Sequence, residues 1–88
     1  MRISDDYILK TIVDDYIVVP IGDSVDINSM ISVNETGALI WNKIEEGCAV
    51  DEIADCFVNE YGITKEEAMA DINEFLKKML DNGILIND

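Results

Sequence analysis

The residues of this chain that could do chemistry are carboxylates and two thiols, and their spacing builds no catalytic site. The adjacent acidic pairs are Asp5-Asp6, Asp14-Asp15, Glu45-Glu46 and Glu66-Glu67. Paired carboxylates perform general acid–base catalysis when a cleft shifts their pKa values, but these pairs fall in predicted turns or on solvated helix faces. No acidic segment follows the pattern of a calcium-binding loop. Cys48 and Cys56 match no metal or redox spacing and are interpreted as small buried side chains.

The chain contains no histidine. Histidine is the usual general base at neutral pH and the commonest metal ligand. Its absence excludes Ser-His-Asp and Cys-His catalytic arrangements within the chain. We therefore expect a protein that is not an enzyme and that needs neither a cofactor nor a metal.

Composition and charge restrict the partners. The 88 residues are 49% hydrophobic and 28% charged, which is typical of a folded protein, and we expect one domain over residues 1–88. The 19 acidic and 6 basic residues give a net charge of −13, which disfavours nucleic acid because its backbone is bound mainly by lysine and arginine. We find neither a membrane span nor a secretory signal. A cytoplasmic monomer is expected.

Three strands are predicted in the first part of the chain, over residues 7–13, 16–21 and 26–33, the last most clearly from Asn28. Turn residues separate them, and Pro20 is expected near a strand end or on an edge strand because it cannot donate a ladder hydrogen bond. Consecutive strands with short turns predict an antiparallel sheet. In the third strand, alternation places Met30 and Ser32 on one side and Ile31 and Val33 on the other.

Three helices are predicted next. Asn34 is an N-cap for a helix over residues 35–46, with Gly47 after its end. A second helix covers residues 50–61, and a third opens at the Thr64-Lys65-Glu66-Glu67 capping box and stops at Asn82-Gly83. The apolar stripe of the third helix contains Ala68, Met69, Ile72, Phe75, Leu76, Met79 and Leu80. We expect Trp41 in the core, and residues 84–86 to fold back onto it.

This order predicts an α+β fold like a winged helix-turn-helix, with an N-terminal three-stranded antiparallel sheet followed by three helices. At this level the chain resembles the PqqD-like proteins, the recognition elements for precursor peptides that are made on the ribosome and then modified. The resemblance lies in Tyr16-Ile17-Val18-Val19-Pro20-Ile21-Gly22, in Val33-Asn34-Glu35-Thr36-Gly37-Ala38-Leu39-Ile40-Trp41 with Ile44-Glu45-Glu46-Gly47, and in Asp51-Glu52-Ile53, Glu60-Tyr61-Gly62-Ile63, Phe75-Leu76 and Gly83-Ile84-Leu85. One departure is Ala49, where the family usually has threonine at the start of the second helix.

The resemblance implies a function. Family members bind the leader segment of a precursor peptide and present it to a modifying enzyme, often a radical-SAM enzyme or a leader peptidase. The leader adds as a strand to the third strand and lies beside the third helix. The expected peptide-binding residues are Asn28, Ser29, Met30, Ile31 and Ser32 from the strand, and Asp71, Ile72, Phe75, Lys78 and Met79 from the helix. We expect apolar leader residues to be anchored against Met30, Ile72 and Phe75.

Three alternatives remain open from sequence. A DNA-binding winged helix-turn-helix fits the shape, but its recognition helix would begin with Glu66 and Glu67 facing phosphates. An acyl or peptidyl carrier protein fits the size and acidity, with Ser24 in Gly22-Asp23-Ser24-Val25 as the modified serine. That serine, however, lies between two strand patterns instead of opening a helix. A scaffold without a leader partner is the third alternative.

Overall fold

The computed structural model describes residues 2–21 and 30–86. Its strands are β1 Arg2–Ile3, β2 Tyr7–Ile12, β3 Asp15–Pro20, β4 Ile31–Val33 and β5 Leu85–Ile86. Its helices are α1 Glu35–Glu45, α2 Val50–Tyr61 and α3 Lys65–Asp81. The predicted α+β arrangement of a three-stranded sheet followed by three helices is confirmed, and no described helix is long and apolar enough to cross a membrane.

The main sheet has the order β2-β3-β4, and both pairs are antiparallel. Pro20 is the last residue of β3 and lies opposite Tyr7, which confirms the predicted position near a strand end. β4 begins at Ile31, directly after Met30, and is therefore shorter than the predicted third strand. The predicted positions Asn28 and Ser29 and the predicted turn at 22–24 lie outside the described residues.

A second, two-stranded sheet joins the N-terminal and C-terminal segments of the described chain. β1 pairs antiparallel with β5, with Ile3 opposite Leu85. This confirms that the C-terminal apolar segment folds back, since Ile84 and Leu85 are buried. β1 itself was not predicted, because a two-residue strand carries no periodic signal of its own.

The core lies between the inner face of the main sheet and the three helices. Val18 on the central strand β3 is fully buried, and Trp41 is buried as predicted, with a relative exposure of 1%. The Trp41 Nε1–H has no hydrogen-bond partner among the described residues, so the ring is held by packing. The largest buried side chains are Trp41, Phe57, Ile40, Ile53, Ile72, Met79, Ile84 and Val18.

Local capping groups fix the helix boundaries. The Asn34 Oδ1 accepts hydrogen bonds from the Gly37 N–H and the Thr36 hydroxyl, both at 2.8 Å. The Thr64 hydroxyl accepts from the Glu67 N–H at 3.1 Å. At the start of α2, Ala49 has no capping oxygen, and only the Glu52 carboxylate contributes, by accepting from the Ala49 N–H at 3.1 Å. These contacts confirm the sequence-predicted N-caps at Asn34 and Thr64.

The β2–β3 hairpin tip is an unfavourable local conformation. Val13 has a φ of +56° and is 89% exposed. The left-handed region disfavours β-branched residues, and tight hairpins usually place glycine or asparagine there. Strand pairing on both sides of the tip, with Ile12 opposite Asp15, holds Val13 in this conformation.

We predict that Asn34→Ala lowers the free energy of unfolding by about 1 kcal/mol, because the first turn of α1 loses its cap. Urea denaturation followed by circular dichroism measures this. Asn34→Asp is the matched control and should retain most of the stability, since aspartate is an equally good cap. Equal destabilisation by both substitutions would contradict the capping role.

Candidate functional site

A groove of about 530 Å³ lies between the end of β4, the first turn of α1 and one flank of α3. β4 and α1 follow one another in sequence, whereas α3 is distant and is brought beside them by the core. The lining residues are Ser32, Val33, Asn34, Thr36, Gly37, Ile40, Asp71, Glu74, Phe75 and Lys78.

β4 forms the open edge beside this groove. Within the described residues it pairs only with β3, so its other side has no strand neighbour. Backbone N–H and C=O groups on such an edge are free to pair with another extended chain. β4 contains neither proline nor a charged residue that would block this pairing. The groove therefore has a template for strand addition along one side.

The floor of the groove depends on a close approach between α1 and α3 at Gly37. A Cβ atom at this position would lie 3.0 Å from the Phe75 Cε2 and 3.2 Å from the Asn34 Oδ1. The absence of a Cβ atom at Gly37 lets the Phe75 ring rest on the first turn of α1 without a tight contact. The ring is half-buried, so one part packs on the core and the remainder forms an apolar surface in the groove.

The α3 wall carries charge, whereas the residues between Ser32 and Ile40 that line the opposite wall are uncharged. Asp71, Glu74 and Lys78 are all exposed and line the groove. Among residues 2–21 and 30–86, none of these three side chains forms an ion pair. A bound molecule can therefore use all three charges without first breaking an ion pair with a described residue.

The structure brings four of the ten predicted site residues together. Ser32, Asp71, Phe75 and Lys78 line one groove. Ile31 belongs to the adjacent edge strand, but its side chain packs against the core, so only its backbone faces the site.

Three other predicted site residues, Met30, Ile72 and Met79, do not line the groove. Ile72 and Met79 are 0% and 1% exposed and belong to the core, so their side chains do not line the groove. They occupy the centre of the α3 apolar stripe, whereas the groove is bordered by its flank. Met30 is 38% exposed but lies with Ile8, Ile17 and other apolar residues on the outer face of the sheet, away from Phe75.

Sequence reasoning missed Val33, Thr36, Gly37, Ile40 and Glu74 as groove residues, and used Asn34 only as a cap. A signal for most of them was present. Since β4 leads directly into α1 through Asn34, residues that follow the edge strand must border the same groove. Glu74 lies three residues from Asp71 and four from Lys78, which places all three on one helical face.

In the described part of the chain, no group of three or more potential ligands is arranged to hold a metal ion. Cys48 and Cys56 are free and half-buried. Outside the groove, partial desolvation, followed by the carboxylates of Glu35 and Glu60, raises the pKa of the Tyr61 hydroxyl. This phenol is therefore neutral near pH 7, and it packs edge-on against Phe57.

Comparisons with known proteins agree with this architecture. Residues 16–85 match the family of coenzyme PQQ synthesis protein D (PqqD). The solved structure described as TbiB1 in complex with the TbiA(beta) leader peptide is 24% identical, with a TM-score of 0.81 and 100% of both chains covered. Lasso peptide synthetase B1 complexed with the leader peptide is 20% identical, with a TM-score of 0.83 and coverage of 98% of this chain and 96% of that one. No match was found among curated protein sequences.

We predict that Gly37→Ala displaces the Phe75 ring into the groove while changing the free energy of unfolding by no more than about 1 kcal/mol. The ring can move because it faces open space, and alanine raises helix propensity by roughly the amount that the clash costs. NMR contacts from the Phe75 ring, together with urea denaturation, measure the two effects. In Gly37→Ala/Phe75→Leu the smaller side chain should restore the groove. An unmoved ring in Gly37→Ala would contradict this account.

Proposed function

Because the chain belongs to the PqqD family, we propose that it binds the leader segment of a ribosomally synthesised precursor peptide and presents it to a peptide-modifying enzyme. In this proposal the leader adds as a strand to β4 and lies in the groove beside α3. Residues 1–88 act as one recognition domain with a binding and not a catalytic role. The modifying enzyme is a radical-SAM enzyme or another enzyme that acts on peptides.

The observation that carries this proposal is the open edge of β4 next to the groove. Strand addition to an exposed sheet edge is a common mode of peptide recognition, in which backbone bonds give affinity and side-chain pockets give specificity. Two proteins that share this fold are each described with a leader peptide bound. A neighbouring strand supplied by a leader would complete the sheet.

Magnitudes indicate what the groove must add to backbone pairing. Each backbone hydrogen bond contributes about 0.5–1.5 kcal/mol net, and β4 has three residues. Ordering a flexible peptide costs about 2–5 kcal/mol or more. Backbone pairing alone therefore gives weak binding. An apolar leader side chain buried against Phe75, at about 1.5–3 kcal/mol, supplies the difference.

The alternatives from sequence are less well supported. The first turn of α3 contains the carboxylates of Glu66 and Glu67 and lies in a chain of net charge −13, which opposes DNA binding. A carrier protein would be an all-helical bundle, whereas this chain forms a three-stranded sheet with three helices. Ser24, the residue that such a carrier would modify, lies outside the described residues.

A peptide encoded beside the gene for this chain provides the direct test. We expect titration of the ¹⁵N-labelled chain with its candidate leader to shift the amide resonances of residues 31–33 and 71–78. N-methyl groups placed one at a time along the peptide should weaken binding at every second position, because alternate N–H groups of an added strand face the edge. Uniform tolerance of N-methylation, or shifts confined to other surfaces, would overturn the proposal.

We predict that Phe75→Ala weakens binding of this leader about 10- to 100-fold, because the anchor loses its apolar partner. Leu80→Ala is the matched control on the same helix. Leu80 is 41% exposed but does not line the groove, so its truncation should change the dissociation constant less than twofold. Isothermal titration calorimetry measures both variants. Equal losses would show that Phe75 is not the anchor.

A further inference from the structure

The charges along the α3 wall have a definite order. Two carboxylates, Asp71 and Glu74, come first and the ammonium group of Lys78 comes last, with the Phe75 ring between the two signs. Lys78 is seven residues beyond Asp71, which is about 10 Å along a helix. The facing wall, from Ser32 to Ile40, contributes no charged side chain to the groove.

The order of the charges along α3 determines which side chains an extended peptide needs at which spacing. Side chains on one face of a strand recur every second residue, about 6.6 Å apart. Three such side chains in succession span about 13 Å, which matches the helical distance once the reach of flexible side chains is included. One peptide face can therefore meet the carboxylates, the Phe75 ring and Lys78 with residues i, i+2 and i+4.

The whole molecule adds a bias toward cationic peptides. The net charge of −13 creates a field that attracts positive ligands and repels acidic ones before contact. Among the described residues that line the groove, the two carboxylates outnumber the one ammonium group, so the net charge of this lining is negative, like that of the whole chain.

Resting on the proposed function, we propose that the groove selects peptides with a basic residue, an apolar residue and an acidic residue at alternate positions. The basic side chain meets Asp71 and Glu74, the apolar one packs on Phe75, and the acidic one pairs with Lys78. This assigns Glu74 and Lys78 as specificity-determining residues, and the order of the two charges sets the direction in which the peptide enters.

Display selection tests the inference on peptides of random sequence. A random 12-residue peptide library is selected on the immobilised chain at low ionic strength. We expect enrichment of the basic-x-apolar-x-acidic pattern in a single direction, and enriched peptides should shift the amide resonances of residues 31–33 and 71–78. Enriched peptides that shift these resonances but lack the pattern would overturn this inference and leave the proposed function standing. No enrichment, or shifts elsewhere, would overturn both.

A charge-reversal pair sharpens the test. Glu74→Lys should weaken binding of the best enriched peptide about 3- to 10-fold, because it replaces an attraction with a repulsion of similar size. Glu60→Lys changes the net charge equally, and Glu60 is an exposed helical residue outside the groove. It should change affinity less than twofold. Equal losses in the two variants would show that only the overall field acts and would overturn the specific contact.

Discussion

The unfilled hydrogen-bonding capacity of β4 is the constraint on which the site depends. β3 is paired on both sides, whereas β4 has a partner on one side only within the described residues. An edge of this kind is a liability unless another chain uses it or the protein blunts it. Here the edge is bordered by a groove whose floor exists because Gly37 lets the Phe75 ring approach α1. The glycine and the ring thus determine which side chains a chain paired with β4 would meet.

Local chemistry made much of the fold predictable. The caps at Asn34 and Thr64 and the left-handed Gly62 at the end of α2 depend on a few neighbouring residues, so the sequence contains the whole signal. Strand pairing between distant segments was harder to predict from the sequence. β1 exists because Arg2 and Ile3 meet β5 at the other end of the chain, and no local pattern in two residues reveals such a partner.

The candidate site shows the same division. An apolar stripe identifies the buried face of α3, but it does not indicate which flank borders the groove. The stripe therefore predicts Ile72 and Met79 as peptide-binding residues, although they lie at its buried centre, and it does not identify Glu74. In the third strand, alternation correctly separated Met30 from Ile31. Alternation alone did not show which of the two faces packs on the core, because tertiary packing decides that, and Met30 lies on the outer face.

The junction at Asn34 has a further consequence. This residue alone separates β4 from α1, and it both caps the helix and lines the groove. The receptor side is thus assembled from a strand and two helices in which the core already fixes the backbone. Most of the entropy lost on complex formation then falls on the guest. A guest stiffened beforehand, by β-branched residues or by cyclisation in an extended form, would gain affinity without making a single new contact.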